Sequence, residues 1–493
     1  MKTILTNKME KDMKQTIVYT QEQTNAINKI VDFVKNSSGQ IRLVGSAGCG
    51  KSTCLEAVVE QVAALSIPIT IIAPTHKAKA VAGKFINRNR DPNDPLANWY
   101  EPLTLAKALG NVPKVIVEDG KQRFIQAGKP TQMSGLIILD EASMLSQYSL
   151  EKLEELVAKD STLLFVLDPV QLPPVKSNKI PVINLDIEEA TLTTPQRFYS
   201  NSTIGKFTTA IRGKDSQLSN FPWGGAAQVC KDASDVHFYT SKDKFEEEYI
   251  TALEDNDWLN NPESVRLVTW KNNDVDYYNK LVTQLYLDNP NPSSFVANEV
   301  LIARSPFIRT DPRSTPLEVF NATKDEIIHY INNGAEYRLI DLESVDTFIH
   351  PKYKDKPVEY QVWSAETEEG ESFTSNIVSV KGKRNYKFIY NDLHSIADKI
   401  PDSSRKKKGK AWGARDKFKN SFDNCRRAYA LTVHSSQGGT FNNVFIDLSF
   451  LNDAKCASIR RALIYTALTR ASETLHIYIP ATYVGKNVVD TIR

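Results

Sequence analysis

A short apolar segment that ends in a glycine-rich turn constrains this chain more than any other feature. Residues 43–53 read LVGSAGCGKST, and Gly45 to Ser52 fit the pattern G-x-x-x-x-G-K-[ST]. The pattern lies between an apolar run and a stretch of helical periodicity, which is the strand-loop-helix context that a phosphate-binding loop requires. In such a loop backbone N–H groups converge on phosphate oxygens, Lys51 reaches the outer phosphates and the Ser52 hydroxyl binds magnesium. The sequence therefore predicts a nucleotide site on an α/β sheet.

A pair of carboxylates supplies the second part of such a site. Asp140 and Glu141 end the apolar run in GLIILDEAS. Asp140 is placed to hold Mg²⁺ through its water shell, and Glu141 to polarise the water that attacks the γ-phosphate. The alternative is that both residues only cap the helix that follows. Together with the phosphate loop they predict NTP hydrolysis, which a kinase, a switch GTPase and a motor would all share.

Alternation of apolar runs and helical stretches predicts parallel sheets in two parts of the chain. In the first part the predicted strands are residues 41–44, 67–73, 136–139 and 163–167. A second α/β part begins near residue 200, with a strand and a helix in 265–286, and parallel strands resume in 443–480. The predicted fold class is thus α/β with two such domains.

Two insertions interrupt this pattern. Residues 86–130 are polar and contain Asp119-Gly120 between two alternating runs, which is a strong hairpin signal. From 295 to 424 the period changes to two, and the segments EYRLIDLES, VEYQVWSAE, SFTSNIVSVKG and NYKFIYND are predicted strands of a small barrel or meander. We interpret this block as a mainly β domain inserted into the second α/β domain.

Composition excludes several classes of protein. The 493 residues are 41% apolar and 24% charged, which is an ordinary globular mixture, and no apolar run reaches the length of a membrane span. The first residues do not resemble a secretory signal, so we expect a cytoplasmic protein without membrane partners. The five cysteines include no C-x-x-C pair and no histidine at zinc-like spacing, so no disulfide framework or structural metal is indicated.

One segment is strongly basic although the formal net charge is only +2. Residues 404–420 read SRKKKGKAWGARDKFKN, with Trp412 and Phe418 among the cations. Two interpretations stay open: a solvated flexible loop, and an element that contacts a nucleic-acid backbone.

Several motifs decide among the NTP-dependent functions. They are TQEQTNAI (20–27), APTHKAKA (73–80), LDPVQLPPV (167–175), LTTPQRF (192–198), LTVHSSQGGT (431–440) and YTALTRAS (465–472). In order and spacing they resemble the motifs of superfamily 1 helicases, most closely the 5′-to-3′ (1B) subgroup that includes RecD and the Dda helicases of tailed phages. The resemblance implies two RecA-like domains with ATP between them and single-stranded DNA across both.

The resemblance also implies domain boundaries. Residues 1–200 would form RecA-like domain 1A, with 86–130 as insertion 1B carrying a strand-separating pin hairpin. Residues 201–294 and 425–493 would form RecA-like domain 2A. Residues 295–424 would be the SH3-like inserted domain 2B, which can clamp or brace the pin.

ATP and Mg²⁺ are the implied cofactors. Gln23 would hydrogen-bond the adenine, Asp168 and Gln171 would sense the γ-phosphate, and Arg197 and Arg470 would reach it from the second domain. The catalytic residues are thus Lys51, Asp140, Glu141, Gln171, Arg197 and Arg470, with Ser52 and Asp140 at the metal. The remaining nucleotide contacts are Gly45, Ser46, Ala47, Gly48, Cys49, Gly50, Thr53 and Gly438.

The implied partners are single-stranded and fork DNA, with replication or recombination proteins as further candidates. The strand would be held by Pro74, Thr75, His76, Thr104, Lys107, Thr432, His434 and Ser436. Hydroxyl and imidazole groups suit phosphate and sugar contacts that do not read sequence. Phe124 of the hairpin would be the wedge against the last base pair, or alternatively a packed aromatic in a minor hairpin.

Three positions depart from the family pattern. Residues 104–109 (TLAKAL) lack the histidine of T-x-H-x-x-L, Leu167 precedes Asp168 where the family has glycine, and Ser435 replaces a basic residue. The last change removes a positive charge near the DNA.

The expected activity is an ATP-dependent helicase that translocates 5′ to 3′ on single-stranded DNA and unwinds duplex. Three alternatives remain: a DNA-stimulated translocase that displaces proteins without unwinding, a P-loop NTPase that does not act on DNA, and a non-catalytic DNA-binding module.

Overall fold

The computed structural model describes most of the chain in two compact units. The described residues are 18–88, 90, 100–115, 122–126, 129–174, 177, 179–194, 196, 202–212, 233–289, 291–323, 325–368, 370–453 and 457–481. The first unit comprises residues 1–112 and 126–212, and the second comprises 113–125 and 213–493.

A six-stranded sheet forms the core of the first unit, in the order β3-β2-β6-β7-β1-β8. Every pairing between neighbours in this sheet is parallel. The two central strands, β6 and β7, are buried along their whole length, which explains their continuous apolar sequence. The strands are β1 (Gly39–Gly45), β2 (Ile69–Ala73), β3 (Leu103–Thr104), β6 (Leu136–Leu139), β7 (Thr162–Leu167) and β8 (Glu188–Leu192).

Helices cover this sheet and bury two apolar clusters against it. The helices are α1 (Gln21–Asn36), α2 (Lys51–Ala63), α3 (His76–Ile86), α4 (Leu105–Ala108), α5 (Gln147–Glu154) and α6 (Thr203–Arg212), with 3₁₀ turns at Ala142–Met144 and Pro181–Asn184. The four strands predicted for this part are all present, so the prediction of a parallel α/β core is confirmed. Because the strands are parallel, the loops that follow β1, β2, β6 and β7 meet at one edge of the sheet.

A separate pair of strands, β4 (Asn111–Val115) and β5 (Gln122–Gln126), forms a two-stranded sheet. It lies in the segment for which the sequence predicts a hairpin. Asp119 and Gly120, on which that prediction depends, lie outside the described residues.

The second unit contains a five-stranded parallel sheet in the order β18-β10-β19-β20-β9. Its strands are β9 (Val236–Tyr239), β10 (Val265–Thr269), β18 (Ala430–Thr432), β19 (Phe441–Asp447) and β20 (Ala471–Tyr478). The helices that belong to it are α7 (Lys242–Asp255), α8 (Asn272–Leu285) and α12 (Ala457–Leu468), with a 3₁₀ turn at Ser449–Asn452. A second parallel α/β core, as predicted, is therefore present.

An antiparallel sheet, β16-β15-β14-β11-β17, lies in the same unit. Its strands are β11 (Val300–Ala303), β14 (Glu336–Phe348), β15 (Val358–Thr367), β16 (Ser372–Val378) and β17 (Cys425–Arg427). A short pair, β12 (Phe307–Arg309) and β13 (Ile328–Ile331), and helix α9 (Pro316–Asn321) accompany it. The proposed boundaries of the inserted domain stay a prediction.

Two helices of this region contradict the sequence interpretation. The segment NYKFIYND, predicted as a strand, lies inside α10 (Lys383–Asp398), and the basic run, for which a flexible loop was one interpretation, forms α11 (Arg405–Asn420) after a 3₁₀ turn at Asp402–Ser404. The strand prediction was wrong and the loop interpretation is excluded, because the buried residues follow helical spacing: Ile389, Leu393 and Ala397 in α10, and Trp412, Arg415 and Phe418 in α11. Phe418 packs in one cluster with aromatic residues of the antiparallel sheet.

The chain passes from the antiparallel sheet to the parallel one within two residues. Ala428 and Tyr429 connect β17 to β18, and both are fully buried. Arg266 of β10 donates a hydrogen bond to the Ala428 carbonyl and pairs with Glu336 of β14 at 3.0 Å. The Tyr249 hydroxyl donates to the Tyr429 carbonyl at 2.8 Å. Both carbonyls of the connection are thus held by buried side chains.

None of the described helices is long and apolar enough to cross a membrane.

Substitution of the two glycines inside α11 tests that this segment is a helix. A Cβ at Gly409 or Gly413 would meet no atom within 4 Å. We expect Gly409→Ala and Gly413→Ala each to raise the free energy of unfolding by about 0.5–1 kcal/mol, because alanine favours the helix. Urea unfolding followed by far-UV circular dichroism measures this change.

Gly382 provides the contrast, because a Cβ there would lie 2.0 Å from the Glu359 carbonyl oxygen. We expect Gly382→Ala to lower the free energy of unfolding by about 1–3 kcal/mol through this overlap. If Gly409→Ala and Gly413→Ala left stability unchanged, α11 would not be a stable helix in solution.

Candidate nucleotide and DNA sites

The phosphate loop follows β1 and opens α2. Gly48 and Gly50 have φ angles of +75° and +85°, in the left-handed region that glycine adopts without strain. The Lys51 ammonium donates hydrogen bonds to the carbonyls of Gly45 and Ser46, each at 2.9 Å. The loop thus folds around the lysine, and the N-terminus of α2 is available to an anion.

Gln23 lies directly against this loop. It forms a capping box with Thr20 at the start of α1, and its Nε2 donates to the Cys49 carbonyl at 3.4 Å. A Cβ at Gly50 would lie 2.2 Å from Gln23 Nε2, and one at Gly45 would lie 2.4 Å from Cys49 Sγ. At Gly45 the Leu192 Cβ and carbonyl oxygen also lie at 3.1 and 3.2 Å, so a side chain would crowd packed atoms, whereas at Gly50 the positive φ is what favours glycine. The contact of Gln23 with adenine stays a prediction.

Asp140 and Glu141 lie at the end of β6, beside the loop. Burial and the neighbouring Glu141 raise the pKa of Asp140 to about 6, while the backbone N–H of Glu141 and the Lys51 ammonium act in the opposite direction. That N–H donates to Asp140 Oδ1 at 2.9 Å. Glu141 has a φ of +50°, which is uncommon for a residue with a side chain and is typical of functional sites.

The donors present fit a magnesium ion. Among the described residues no three His, Cys, Asp or Glu side chains are close enough to form a metal cage. Mg²⁺ normally binds at NTP sites through one or two protein oxygens, water and phosphate rather than in a cage. Asp140 and Ser52 are the two protein oxygens that would serve here.

The loop after β7 brings Asp168 and Gln171 to the same edge of the sheet. Asp168 is fully buried, accepts a hydrogen bond from the Val170 N–H at 3.1 Å and lies 4.0 Å from the Arg212 guanidinium. Burial raises the pKa of the Cys49 thiol. Among the nearby charges, Lys51 lowers this pKa and Asp168 raises it. Gln171 is buried, and its Oε1 has no hydrogen-bond partner among the described residues.

Arg212 is a residue that the sequence interpretation missed. It lies at the end of α6, far along the chain from Asp168 and outside every motif that we recognised. Only the tertiary contact with Asp168 reveals it, so no local sequence signal was available.

The predicted DNA residues of the first unit lie at neighbouring strand ends. Thr75 caps α3 by accepting the Ala78 N–H at 3.1 Å, and Thr104 caps α4 by accepting the Lys107 N–H at 3.2 Å. Ala73 of β2 is in register with Thr104 of β3, so the structure brings these two loops together. Pro74 precedes Thr75 in the same loop.

The imidazole of His76 is neutral at physiological pH. Its burial and the nearby Lys79 lower the pKa of His76 to about 4. Burial also lowers the pKa of His434 in the second unit. Any contact of these two side chains with DNA is therefore made by hydrogen bonds of a neutral ring rather than by a positive charge.

The predicted DNA residues of the second unit follow β18. Thr432 and Ser435 share a hydrogen bond at 2.8 Å between their hydroxyls. Ser436 is fully buried, and its hydroxyl donates to the Val433 carbonyl at 2.9 Å. Ser436 thus shapes the turn in this structure, Thr432 is buried as well, and His434 is the one partly exposed residue of the three.

Arg470 holds the same turn from the end of α12. Its guanidinium donates to the Gly439 and Thr466 carbonyls and to the Thr469 hydroxyl, each at 2.9 Å. Gly438, next to this turn, has a φ of +81°. All the hydrogen bonds described here lie within the second unit, and the contact with the γ-phosphate stays a prediction.

The side chains of two predicted site residues lie outside what the structure describes. Arg197 lies outside the described residues, and Phe124 lies in β5, where only the backbone is described. The roles assigned to both stay predictions.

Comparison with known proteins relates these two units to a family. Residues 18–240 match the model of the AAA domain, and residues 427–478 match that of the UvrD-like helicase C-terminal domain. The ATP-dependent DNA helicase dda of Enterobacteria phage T4 is 22% identical over 465 residues, which cover 92% of this chain and 97% of that protein. The two matched domain models and this relative support the resemblance to superfamily 1B helicases that the sequence motifs indicate.

Two further similar proteins align with most of this chain. The uncharacterized protein R530 of Acanthamoeba polyphaga mimivirus is 22% identical over 504 residues, 92% of this chain and 98% of that protein. A crystal structure of a Pif1 helicase from Bacteroides, in complex with ADP-AlF3 and single-stranded DNA, covers 95% of this chain with 14% identity and a TM-score of 0.49.

The raised pKa of the partly buried Asp140 carboxyl makes the stability of the fold depend on pH. Because the folded-state pKa is about 6 against an ordinary 3.8, the folded state binds the proton more tightly than the unfolded state. The neutral carboxyl stabilises the fold at pH values below the pKa of Asp140 in the unfolded state. This stabilisation is lost as the pH rises through the pKa of Asp140 in the folded state. Asparagine carries no charge at any of these pH values. We therefore expect Asp140→Asn to raise the free energy of unfolding at pH 7 by on the order of 2 kcal/mol. The same change should abolish ATP hydrolysis.

Urea unfolding of both proteins at several pH values measures the effect. The difference in free energy of unfolding between variant and parent should grow as the pH rises from about 4 to about 7. A difference independent of pH would show that Asp140 does not titrate in this range.

Proposed function

We propose that this protein is an ATP- and magnesium-dependent DNA helicase that translocates 5′ to 3′ on single-stranded DNA and unwinds duplex. The observation that carries the proposal is the placement of Lys51, Asp140 and Glu141 together at one sheet edge, in a chain whose second unit matches a helicase domain. The full-length similarity to a phage DNA helicase supports it.

The residues of the first unit divide the work of hydrolysis. Lys51 and the N-terminus of α2 bind the phosphates, and Ser52 and Asp140 hold magnesium. The ion neutralises the charge that develops on the phosphate oxygens. Glu141 orients the attacking water and accepts its proton, for which its position beside the metal ligand is suited.

Two arginines complete the site in this proposal, and one of them, Arg470, belongs to the second unit. Arg470 and Arg197 reach the γ-phosphate, where a guanidinium stabilises the charge spread over the transferring oxygens. To do so Arg470 must exchange its hydrogen bonds with Gly439 and Thr466 for bonds to phosphate. Because the Gly439 turn follows Thr432 and His434, this exchange would couple the nucleotide to the DNA residues.

Binding of the strand is independent of sequence. Thr75, Thr104 and Thr432 offer hydroxyls and His76 and His434 offer neutral rings, all of which suit phosphate and sugar contacts. Replication or recombination proteins stay a prediction as partners, and so does action in the cytoplasm.

ATPase measurements with and without single-stranded DNA test two parts of the proposal separately: that the protein hydrolyses ATP, and that DNA controls this hydrolysis. We expect DNA to stimulate the parent, and Glu141→Gln to lower the stimulated rate by about 10²–10⁴-fold while ATP and DNA binding persist, because the water loses its base. Glu60→Gln is the control, since Glu60 is exposed on α2.

Failure of single-stranded DNA to stimulate ATP hydrolysis would favour a P-loop NTPase that does not act on DNA. Loss of ATP binding in Glu141→Gln would instead show that the residue supports the fold of the site.

The pin hairpin is tested on forked substrates. We expect Phe124→Ala to lower unwinding of a fork with a 5′ tail by about tenfold or more while ATPase activity on single strands persists, because a stacked wedge contributes about 1–3 kcal/mol. Tyr148→Ala is the control, since Tyr148 is a large aromatic with 58% exposure on α5.

If the parent hydrolyses ATP on DNA but unwinds no fork, the protein is a translocase rather than a helicase. Faster unwinding of 3′-tailed than of 5′-tailed forks would contradict the assigned direction.

A further inference from the structure

The exposed side of α11 carries an unusual concentration of positive charge. Of the residues in Arg405–Asn420, eight are Lys or Arg and one is Asp. Arg405, Lys406, Lys407 and Lys410 are all exposed, and we call these four the basic face. None of the four has an ion-pair partner among the described residues.

This arrangement does not help the helix to fold. The first turn of α11 has no acidic residue and no side-chain cap, although the partial positive charge of a helix N-terminus favours acidic residues there. Lys406 and Lys410 are spaced i, i+4, where like charges repel. A local arrangement that disfavours the observed structure is expected where a surface serves binding.

The opposite side of α11 fixes the basic face rigidly. Trp412, Arg415 and Phe418 are buried. The Arg415 guanidinium stacks 4.3 Å above the Trp412 ring and hydrogen-bonds His394 of α10 at 3.2 Å. The four cations are therefore presented on a helix anchored to the rest of the inserted region.

Burial of the aromatic residues decides which DNA this surface fits. Proteins that bind single strands combine cations with exposed aromatic rings on which unpaired bases stack. Trp412 and Phe418, the two aromatic residues of α11, have exposures of 4% and 0%, so they are not available for stacking. In a duplex the bases are stacked on each other and the phosphates are the accessible groups, which cations alone can bind.

We propose that the basic face of α11 binds the phosphate backbone of double-stranded DNA. This inference rests on the proposed helicase function and adds to it a duplex contact with a chemistry different from that of Thr75, His76 and Thr432. The face provides charge without base readout, so the contact is independent of sequence. Its role is to hold the duplex portion of a fork while the single strand moves.

The experiment compares three proteins: the parent, a face variant with Lys406→Gln, Lys407→Gln and Lys410→Gln, and a control with Lys35→Gln, Lys159→Gln and Lys244→Gln. The control lysines are exposed and scattered over the molecule, so both variants lose the same charge. Fluorescence anisotropy measures binding of a short blunt duplex without tails over a series of salt concentrations. ATPase activity is measured on single-stranded oligo(dT).

We expect the face variant to bind the duplex about 10- to 100-fold more weakly at low salt, with a salt slope about 2–3 smaller than that of the parent, because each lost phosphate contact removes about one released counterion. The control should bind as the parent does. The dependence of ATPase activity on oligo(dT) should be the same in all three proteins.

Equal duplex affinity and salt slope in the parent and the face variant would overturn the inference, as would failure of the parent to bind duplex. Equal losses on duplex and oligo(dT) would also overturn it, because the face would then serve the single strand or the fold. If oligo(dT) failed to stimulate ATP hydrolysis in the parent, the proposed function itself would fail, which is a distinct result from loss of duplex binding alone.

Discussion

The convergence of parallel strand ends at one sheet edge is the constraint on which the nucleotide site depends. Strand β1 leads into the phosphate loop, β6 into Asp140 and β7 into Asp168, and the three strands are neighbours in the sheet. This geometry brings the partly buried carboxyl of Asp140 near Lys51 and buries that of Asp168. Removal from water has an electrostatic cost, seen in the raised pKa of Asp140, and a positively charged metal ion would offset that cost. The site is therefore shaped for its ligand at the expense of stability.

Much of the fold could be predicted because buried parallel strands leave a simple signal. The runs that end at Leu139 and Leu167 are continuous and apolar, since both faces of each strand are covered. The phosphate loop was equally clear, because Gly48 and Gly50 adopt positive φ angles that favour glycine. These features are local, and local features can be read from sequence.

Other features depend on tertiary contacts and could not be predicted. The segment NYKFIYND resembles a strand over its eight residues, and only the longer pattern of Ile389, Leu393 and Ala397 shows the helix. In α11 one of the three buried side chains is Arg415, so an apolar pattern is almost lacking. Arg212 gains significance only through its contact with Asp168. Ser436 matches a DNA-binding motif, yet its hydroxyl is used inside the turn.

The short connection between the two sheets of the second unit has a mechanical consequence. Ala428 and Tyr429 have their carbonyls fixed by Arg266 and Tyr249, so no flexible joint separates the antiparallel sheet from the strand that ends at Thr432. Given the proposed duplex contact of α11, force on that DNA would pass through this short connection into the turn that Arg470 holds. Given also the proposed contact of Arg470 with the nucleotide, that force and ATP hydrolysis would act on the same turn.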